Sequence, residues 1–496
     1  MSTPTSTSSS TSAGTDALAG LPVVVVGAGP VGLAAAAHLL EQGLEPLILE
    51  AGDEAGSAIR AWKHIRLFSP WRYNVDAAAA RLLEPTGWSH PKLTGLPTGA
   101  DLVEQYVAPL AATPALAPRI RTGSRVIAVS RVGLDKTHSI GRELHPFLVR
   151  VQTTQGTISD LHARAVIDAS GTWGQSNPLG VSGLVAVGEA EAADVMAGPL
   201  PDVLGSHRER FAGRRVLVVG AGHSATNTLL NLVRLAEQEP GTRIIWAVRA
   251  TSVARTYGGG DLDGLPARGA LGSRLRDAVE AGRIELITGA TISALRTDAG
   301  DHGAEVTVIF QTPSGERHER VDVIAAATGF RPDLGMLREL RLDLDPGVEA
   351  PSRLAPLIDP QFHSCGTVPP HGADVLAHPE SGFFIAGMKS YGRAPTFLLA
   401  TGYEQVRSIA AHLAGDTEAA ANVALDLPET GVCSTSTPVV ATDGTVQIDD
   451  SSTSEGGSCC GTPAPQPVAI GAGVGFSTGF LHGRSGEAAS PASTGC

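Results

Sequence analysis

Two segments of the chain place small residues at the spacing that cradles a diphosphate. In the first, Gly27, Gly29 and Gly32 follow an apolar run and precede an Ala- and Leu-rich stretch. Gly27 permits a tight turn, Gly29 lets the backbone approach the phosphates, and Gly32 lets a helix pack on a strand. Amides at the start of that helix then face the negative charge. The pattern predicts nucleotide binding by these glycines and by Pro30, which lies between them.

The residues after this helix support the same prediction. Gly43 is placed to end the helix, and the next apolar run ends in Glu50. A carboxylate at the end of the second strand accepts hydrogen bonds from both ribose hydroxyls of an adenosine. Strand, helix, strand and acid thus occur in the order that the glycine pattern needs.

The second segment repeats the pattern as GxGxxA after the apolar run 216–219. Ser224 is expected to cap the start of the following helix. The residues predicted to bind a second nucleotide here are Gly220, Gly222, His223, Ser224 and Ala225.

The end of the next strand favours NADPH over NADH. This strand leads to Arg249, and Arg255 follows shortly after it. A guanidinium binds a 2′-phosphate by charge and by bidentate hydrogen bonds, whereas a carboxylate in the same place would repel it. We therefore predict that both arginines bind NADPH; the alternative is that Arg249 is only a solvated charge at a strand end.

Two further strands each end in a small residue, a hydroxyl and a glycine, which lets the backbone pass close to a bound nucleotide. The pairs are Ser170 with Gly171 and Thr328 with Gly329. Their spacing indicates that the second nucleotide domain is inserted into the first. On this interpretation the chain leaves the first domain after Gly171 and re-enters it at the strand that leads to Thr328.

These motifs together resemble the two-domain FAD/NAD(P)H flavoproteins: GxGxxG with Glu50, GxGxxA with Arg249, and the Ala-Thr-Gly strand end. That group contains disulfide reductases, thioredoxin reductases, flavin monooxygenases and amino-acid N-hydroxylases. The resemblance spans roughly residues 20–415. It implies an α/β fold of two nested Rossmann-like domains, with the NADPH domain inserted into the FAD domain, and it implies FAD and NADPH as cofactors. In such a fold, Gly387 at a strand end and Thr396 at a helix start would face the flavin.

Composition sets the expected limits of the domains. Residues 1–19 and 416–496 are rich in Ser, Thr, Gly and Pro, and we expect a disordered leader and a low-complexity tail. The FAD-binding domain is predicted in two parts, 20–205 and 326–415. The NADPH-binding domain is predicted to span 206–325.

The reaction is less well specified than the cofactors. Disulfide reductases place two cysteines against the flavin, but no cysteine precedes Cys365 and none lies near it. Flavin monooxygenases need no protein thiol, because the reduced flavin itself activates oxygen, although their usual Phe-x-Gly signature is not met here. We predict a monooxygenase that oxidises a soft nucleophile. The alternative is an NADPH-dependent flavin reductase, thioredoxin-reductase-like, that passes electrons to a tail dithiol or an external acceptor.

The segment WKHIRLFSPWRYNVD, residues 62–76, is dense in aromatic and cationic side chains. In related flavoproteins the corresponding segment reaches the flavin, so the resemblance implies that His64 and Arg66 stabilise charge there as catalytic residues. The alternative is a surface loop whose aromatic side chains fill core. With VVGAGHSATNTLL and a Cys-bearing tail, the segment is similar to the flavin monooxygenases of bacterial arsenic-resistance operons. That similarity implies a trivalent arsenical or a thiol as substrate.

Charge and cysteine content bear on partners. A net charge of −13 argues against nucleic acid and anionic membranes as partners. No apolar run reaches the roughly 20 residues that span a bilayer, and the N-terminus lacks a signal-peptide pattern, so we expect a cytoplasmic protein. The expected partners are a small-molecule substrate and molecular oxygen, and a homodimer is left open. A third hypothesis is a soft-metalloid-binding protein, since thiolates are soft ligands. The thiols concerned are Cys433, Cys459, Cys460 and Cys496.

Overall fold

The structure is a computed structural model. It describes residues 18–258, 260, 263, 265–300, 303–360, 368–394, 397–425, 439–440 and 446–447. Most of the predicted leader and tail, with all five cysteines, lies outside the described residues. The chain divides into two compact units, Met1–Thr435 and Ser436–Cys496. In the second unit the described residues form an antiparallel pair, Val439–Val440 with Val446–Gln447.

The described part of the first unit contains parallel and antiparallel strands. They are β1 (Val23–Val26), β2 (Pro46–Leu49), β3 (Ile120–Arg121), β4 (Ser124–Arg131), β5 (Phe147–Thr153), β6 (Ile158–Ala163), β7 (Ala165–Asp168), β8 (Met196–Ala197), β9 (Arg215–Val219), β10 (Arg243–Ala247), β11 (Glu285–Ile287), β12 (Thr291–Gly300), β13 (Gly303–Thr312), β14 (Gly315–Val321), β15 (Val323–Ala326) and β16 (Phe383–Ile385).

Helices connect and cover these strands. They are α1 (Pro30–Glu41), α2 (Ser57–Arg60), α3 (Ala77–Leu83), α4 (Gly99–Leu102), α5 (Ala108–Ala111), α6 (Arg208–Phe211), α7 (His223–Gln238), α8 (Ala254–Tyr257), α9 (Pro266–Glu280), α10 (Ala355–Ile358), α11 (Ala373–Leu376), α12 (Leu399–Ala414) and α13 (Thr417–Ala421). Within the described residues, none of them combines the length and the apolar character that crossing a membrane requires.

The first sheet has the strand order β16-β7-β1-β2-β3, and every neighbouring pair is parallel. Helices α1 and α12 contribute to the apolar core on one face. The antiparallel sheet β4-β5-β6 packs on the other face, where Val24 and Val26 meet Val149 and Val151. Because β1 is covered on both faces, all four of its valines are buried, as is typical of parallel strands.

The second sheet repeats this plan. Its order is β11-β10-β9-β15-β8, again with parallel neighbours. Residues of α7 and α9 pack on one face, and the antiparallel sheet β12-β13-β14 packs on the other, with Val308 and Phe310 against Leu217. Each sheet is thus the centre of a three-layer, Rossmann-like domain. This arrangement confirms the predicted α/β fold.

The nesting of the two domains is confirmed, but one detail of it is corrected. Strands β8 to β15 of the second domain lie in the sequence between β7 and β16 of the first sheet. The interpretation that the chain re-enters the first domain at the strand leading to Thr328 is wrong. That strand, β15, pairs with β9 in the second sheet, and the first sheet resumes only at β16. Strand β8 also joins the second sheet ahead of the predicted limit at residue 206.

A buried cluster of charges fastens the antiparallel sheet of the first domain to β16. Glu380 accepts hydrogen bonds from Arg131 at 2.8 Å and from Arg142 at 3.0 Å, and it is 1% exposed. It also accepts the backbone N–H of Arg341 at 3.1 Å. Burial works to raise the pKa of Glu380, but these hydrogen bonds outweigh burial and hold its pKa below the ordinary value. The carboxylate is therefore ionised and shared by three chain segments.

Glu380→Ala is expected to destabilise the first domain by about 3–5 kcal/mol, because it leaves two buried guanidinium groups without their counter-charge. The free energy of unfolding in urea measures the effect. Asp160→Ala is the matched control, since Asp160 bonds to Arg150 on an exposed surface, and it should change stability little. Equal effects of the two substitutions would contradict the role given to Glu380.

Candidate active site

A cavity of about 1110 Å³ is lined by residues at the carboxyl ends of the strands of both parallel sheets. This is the edge at which open α/β sheets bind ligands. The volume exceeds the roughly 300–1,000 Å³ of an ordinary small-ligand pocket. The predicted site residues that line the cavity are Gly27, Gly29, Pro30, Glu50, Ser170, Gly171, Gly220, Gly222, His223, Ser224, Arg249, Thr328, Gly329 and Gly387.

The turn between β1 and α1 combines one open glycine with two that are tightly packed. Gly27 has φ +98°, and a Cβ atom on it would lie 2.9 Å from the carbonyl oxygen of Ala169. A Cβ atom on Gly32 would lie 2.0 Å from the carbonyl oxygen of Gly27, which is why helix and strand need a glycine there. A Cβ atom on Gly29 would meet nothing within 4 Å. The open position faces the cavity and has the shape that a diphosphate needs.

Glu50 lies beside this turn. One carboxylate oxygen accepts the backbone N–H of Ala28 at 2.7 Å, and the other accepts that of Gly52 at 2.8 Å. These bonds fix the carboxylate at the cavity wall, while each oxygen keeps a further lone pair for a ligand hydroxyl.

The turn between β9 and α7 has the same construction. Gly220 has φ +126°, and a Cβ atom on it would lie 2.0 Å from the carbonyl oxygen of Ala327. Gly222 is open, with nothing within 4 Å of its added Cβ. Ala225 takes the third position of the pattern and is fully buried in the core of the second domain. Each turn therefore pairs close packing with one open backbone position.

Both helices begin at the cavity without a capping side chain. The N-cap residues are Gly29 for α1 and Gly222 for α7, and neither helix start has a side-chain cap. The prediction that Ser224 caps α7 is wrong, because Ser224 already lies inside the first helical turn. The first-turn amides thus keep their donors for a ligand, which is the arrangement that binds phosphate.

Two chain segments cross between the domains side by side. The backbone N–H of Asn177 donates to the carbonyl oxygen of Gly329 at 2.9 Å, and the Thr328 hydroxyl donates to that of Asn177 at 2.5 Å. The rings of Trp173 and Phe330 lie 5.2 Å apart at the cavity wall. The predicted residues Thr328 and Gly329 therefore form part of the connection between the domains as well as part of the wall.

The second nucleotide turn meets the first domain through aromatic rings. His223, at the start of α7, lies 5.0 Å from the ring of Phe68, measured between centroids. Burial lowers the pKa of His223 to about 4, and the nearby guanidinium of Arg268 acts in the same direction. The imidazole is therefore neutral at neutral pH.

The two predicted catalytic residues, His64 and Arg66, both lie off the described cavity wall. His64 lies near Asp202 and outside the cavity wall, and burial lowers its pKa although Asp202 works in the opposite direction. Arg66 is exposed and donates to the carbonyl oxygen of Leu96 at 2.7 Å. A side chain that stabilises charge on a ligand has to reach the ligand, and the catalytic roles of His64 and Arg66 stay predictions.

Their segment does reach the cavity with other residues. Trp62, Leu67, Phe68 and Ser69 line the wall, while Trp71 is buried in the first core. The alternative stated for this segment, aromatic side chains that fill core, therefore holds for Trp71.

Three other predicted residues lie off the wall. Ala225 and Gly32 pack against backbone and core, as described above, and Arg255 lies in α8 on an exposed surface. Thr396 lies outside the described residues, and α12 begins at Leu399.

Several wall residues carry no prediction from the sequence, among them Asn177, Phe330 and Arg393. Asn177 and Phe330 belong to the crossing segments, where no motif marked them. Arg393 lines the wall and is held by Glu349 through bonds of 2.7 and 3.1 Å.

Two nested Rossmann-like domains that share one cavity define a flavoprotein with a nicotinamide cofactor. The model of the pyridine nucleotide-disulphide oxidoreductase family matches residues 24–360, and the chain belongs to this family. Its cofactors are FAD and NAD(P)H.

Relatives in sequence and structure carry several names. The ferredoxin–NADP reductase of Thermus thermophilus is 28% identical over 348 residues, 70% of this chain and 84% of that protein. The bacillithiol disulfide reductase of Bacillus cereus has a TM-score of 0.57 at 20% identity, covering 80% of this chain and 99% of its own. The FAD-bound cadaverine monooxygenase of Erwinia amylovora has a TM-score of 0.54 at 13% identity, covering 84% and 99%. The structural likenesses show the fold.

His223 is expected to make the protein sensitive to acid. Its folded pKa of about 4 lies below the ordinary 6.5, so its contribution to stability is complete above pH 6.5 and falls as the pH drops toward 4. The loss is about 2 kcal/mol between about pH 7.5 and about pH 5. Urea unfolding at the two pH values should show a smaller loss for His223→Asn than for the wild type. The exposed His162→Asn serves as control and should match the wild type; equal losses in all three proteins would contradict the assignment.

Proposed function

We propose that the protein is an NADPH-dependent, FAD-containing monooxygenase that oxidises a soft nucleophile, such as a trivalent arsenical or a thiol. The observation that carries the proposal is one cavity that joins both nucleotide turns, without a cysteine among its described lining residues. A disulfide reductase needs a thiol pair at the flavin. In this sequence no cysteine precedes Cys365.

FAD is assigned to the first turn. Gly29 and the uncapped start of α1 hold its diphosphate, and Glu50 accepts the adenosine ribose hydroxyls. Gly171 and Gly387, both with positive φ, let the backbone pass close to the rest of the cofactor. The support is their shared position on one wall of the cavity.

NADPH is assigned to the second turn, with its diphosphate at Gly222 and the start of α7. Arg249 is the residue proposed to bind the 2′-phosphate, since it lines the cavity just after β10. Arg255, which sequence paired with it, lies in α8 and off the described wall.

The proposed reaction balances with oxygen as co-substrate. NADPH supplies two electrons, one oxygen atom is added to the substrate, and the other leaves as water. Bound reduced FAD supplies the oxygen activation. The aromatic side chains of Phe68, Trp173 and Phe330 contribute apolar surface to the wall, which excludes water from the reacting groups.

A flavin reductase with an external electron acceptor is the second candidate. The observation that favours it is the name shared by the sequence relatives, ferredoxin–NADP reductase. The same two nucleotide turns would hold the cofactors of either reaction, because both reactions use FAD together with NADPH. The thiols of the tail, which could accept the electrons in this second reaction, lie outside the described residues. They are Cys433, Cys459, Cys460 and Cys496.

The two candidates differ in the fate of oxygen. With NADPH, ¹⁸O-labelled oxygen and a trivalent arsenical or small thiol, the monooxygenase should place one labelled atom in the product for each NADPH consumed. Mass spectrometry of the product and the rate of NADPH oxidation measure this. Unlabelled products with every soft substrate, together with rapid anaerobic reduction of ferredoxin or a disulfide, would favour the reductase instead.

Arg249→Ala should raise the KM for NADPH by roughly tenfold to a hundredfold and leave that for NADH unchanged, because it removes charged hydrogen bonds to the 2′-phosphate only. Arg243→Ala, at the other end of β10, is the matched control and should leave both values near those of the wild type. A similar rise for both nucleotides would show that Arg249 acts on the fold rather than on the phosphate.

A further inference from the structure

A fully buried ion pair lies behind the wall of the first nucleotide turn. The ammonium of Lys389 donates to Asp168 at 2.6 Å, and both side chains are 0% exposed. Asp168 ends β7, and Lys389 lies in the 3-10 turn Gly387–Tyr391 that follows β16. Asp168 therefore ends one strand and Lys389 follows the end of the neighbouring strand, at the cavity edge of the sheet.

The fold itself does not require charges at this place. Asp168 is in register with Ile385, and the preceding pair is Ile167 with Phe384. Replacing a buried ion pair by apolar residues of similar size is often neutral or stabilising. A role in the neighbouring site is therefore a better reason for the pair than stability.

Ser170 connects the pair to the cavity. Its hydroxyl lies 2.6 Å from Asp168 and 3.2 Å from the ammonium of Lys389, and Ser170 lines the wall. The Lys389 side chain is 0% exposed, and of its two hydrogen-bond partners among the described residues Ser170 is the one that lines the wall.

Donors and acceptors fix the direction of the Ser170 hydroxyl. An ammonium only donates and a carboxylate only accepts. The hydroxyl oxygen therefore accepts from Lys389 and gives its proton to Asp168. A single lone pair remains for a ligand, so Ser170 presents an acceptor, and no donor, to the cavity.

The turn that carries Lys389 is itself rigid. Gln405 of α12 accepts the backbone N–H of Gly387 at 2.8 Å and donates to the Ser390 hydroxyl at 2.9 Å. Ser390 in turn donates to the carbonyl oxygen of Gly387 at 2.7 Å. The ammonium is thereby held in place relative to the wall.

We infer that Lys389 and Asp168 are positioning residues that fix Ser170 as the acceptor for a donor hydroxyl of FAD, of the kind carried by its ribityl chain. The inference rests on the proposed placement of FAD in the first turn. A phosphate or carbonyl oxygen of the cofactor does not suit this position, because two acceptors would face each other.

The affinity of the full-length apoprotein for FAD tests the inference. Ser170→Ala should raise the Kd about threefold to tenfold, the loss of one hydrogen bond. FAD analogues that each lack one ribityl hydroxyl complete the test. The analogue that lacks the hydroxyl bound by Ser170 should bind the wild type as weakly as FAD binds the Ser170→Ala variant. The Kd of this analogue should be the same for the wild type and for the variant.

The neutral double variant Asp168→Asn with Lys389→Met tests the positioning role, since it removes both charges together and avoids an unpaired buried one. It should keep the thermal midpoint of the wild-type apoprotein but bind FAD more weakly. Adding Ser170→Ala to it should then raise the Kd for FAD little further. A purely structural role would change the thermal midpoint and leave the effect of Ser170→Ala unaltered.

The outcomes separate the inference from the function on which it rests. A wild-type protein that binds no FAD would overturn the proposed function. FAD binding that is equal in the wild type, Ser170→Ala and all the analogues would overturn the inference alone. If the double variant does not fold, Ser170→Ala with the analogues still decides the question.

Discussion

Close contact between backbone segments is the constraint on which the rest of this molecule depends. At Gly32 and at Gly220 an added Cβ atom would lie 2.0 Å from a carbonyl oxygen, far inside van der Waals contact. In the first domain, the contact at Gly32 lets α1 pack on β1. In the second domain, the contact at Gly220 lets the crossing segment at Ala327 pass over the turn between β9 and α7. Both contacts bring helix starts and strand ends to one place, and the cavity is the space that they enclose.

Two buried ion clusters illustrate different uses of charge in the same domain. Glu380 joins three chain segments and lies away from the cavity wall, so its bonds serve the packing of the antiparallel sheet. Asp168 and Lys389 lie directly behind a wall residue, so their bonds also set what that residue offers to a ligand. The distances are similar in both clusters. Position relative to the cavity, and not the strength of the bonds, distinguishes the two roles.

The fold and the nucleotide turns could be predicted because their signals are local. A glycine pattern between an apolar strand and a helix indicates close backbone packing among residues that are neighbours in the sequence. Glu50 and Arg249 then follow at the ends of the next strands. The membership of β15 could not be predicted, since an apolar strand has no mark that tells which of two parallel sheets it joins. His64 and Arg66 were placed by analogy along the chain, whereas the structure has His64 near Asp202 and Arg66 against the carbonyl oxygen of Leu96. Lys389 follows a buried strand in the sequence, but its partner Asp168 is far away along the chain.

The family membership and the described cavity wall bear on the chemistry together. A pyridine nucleotide-disulphide oxidoreductase binds FAD and NAD(P)H, and the reaction that these would support depends on which electron acceptor can reach the flavin. The described part of the wall contains no cysteine, and all five cysteines of the chain lie outside the described residues. Oxygen needs no docking surface and little space, whereas a protein acceptor needs an exposed path to the flavin edge. The apolar rings of Phe68, Trp173 and Phe330 at the cavity wall are the support for the proposed reaction with oxygen and a small substrate.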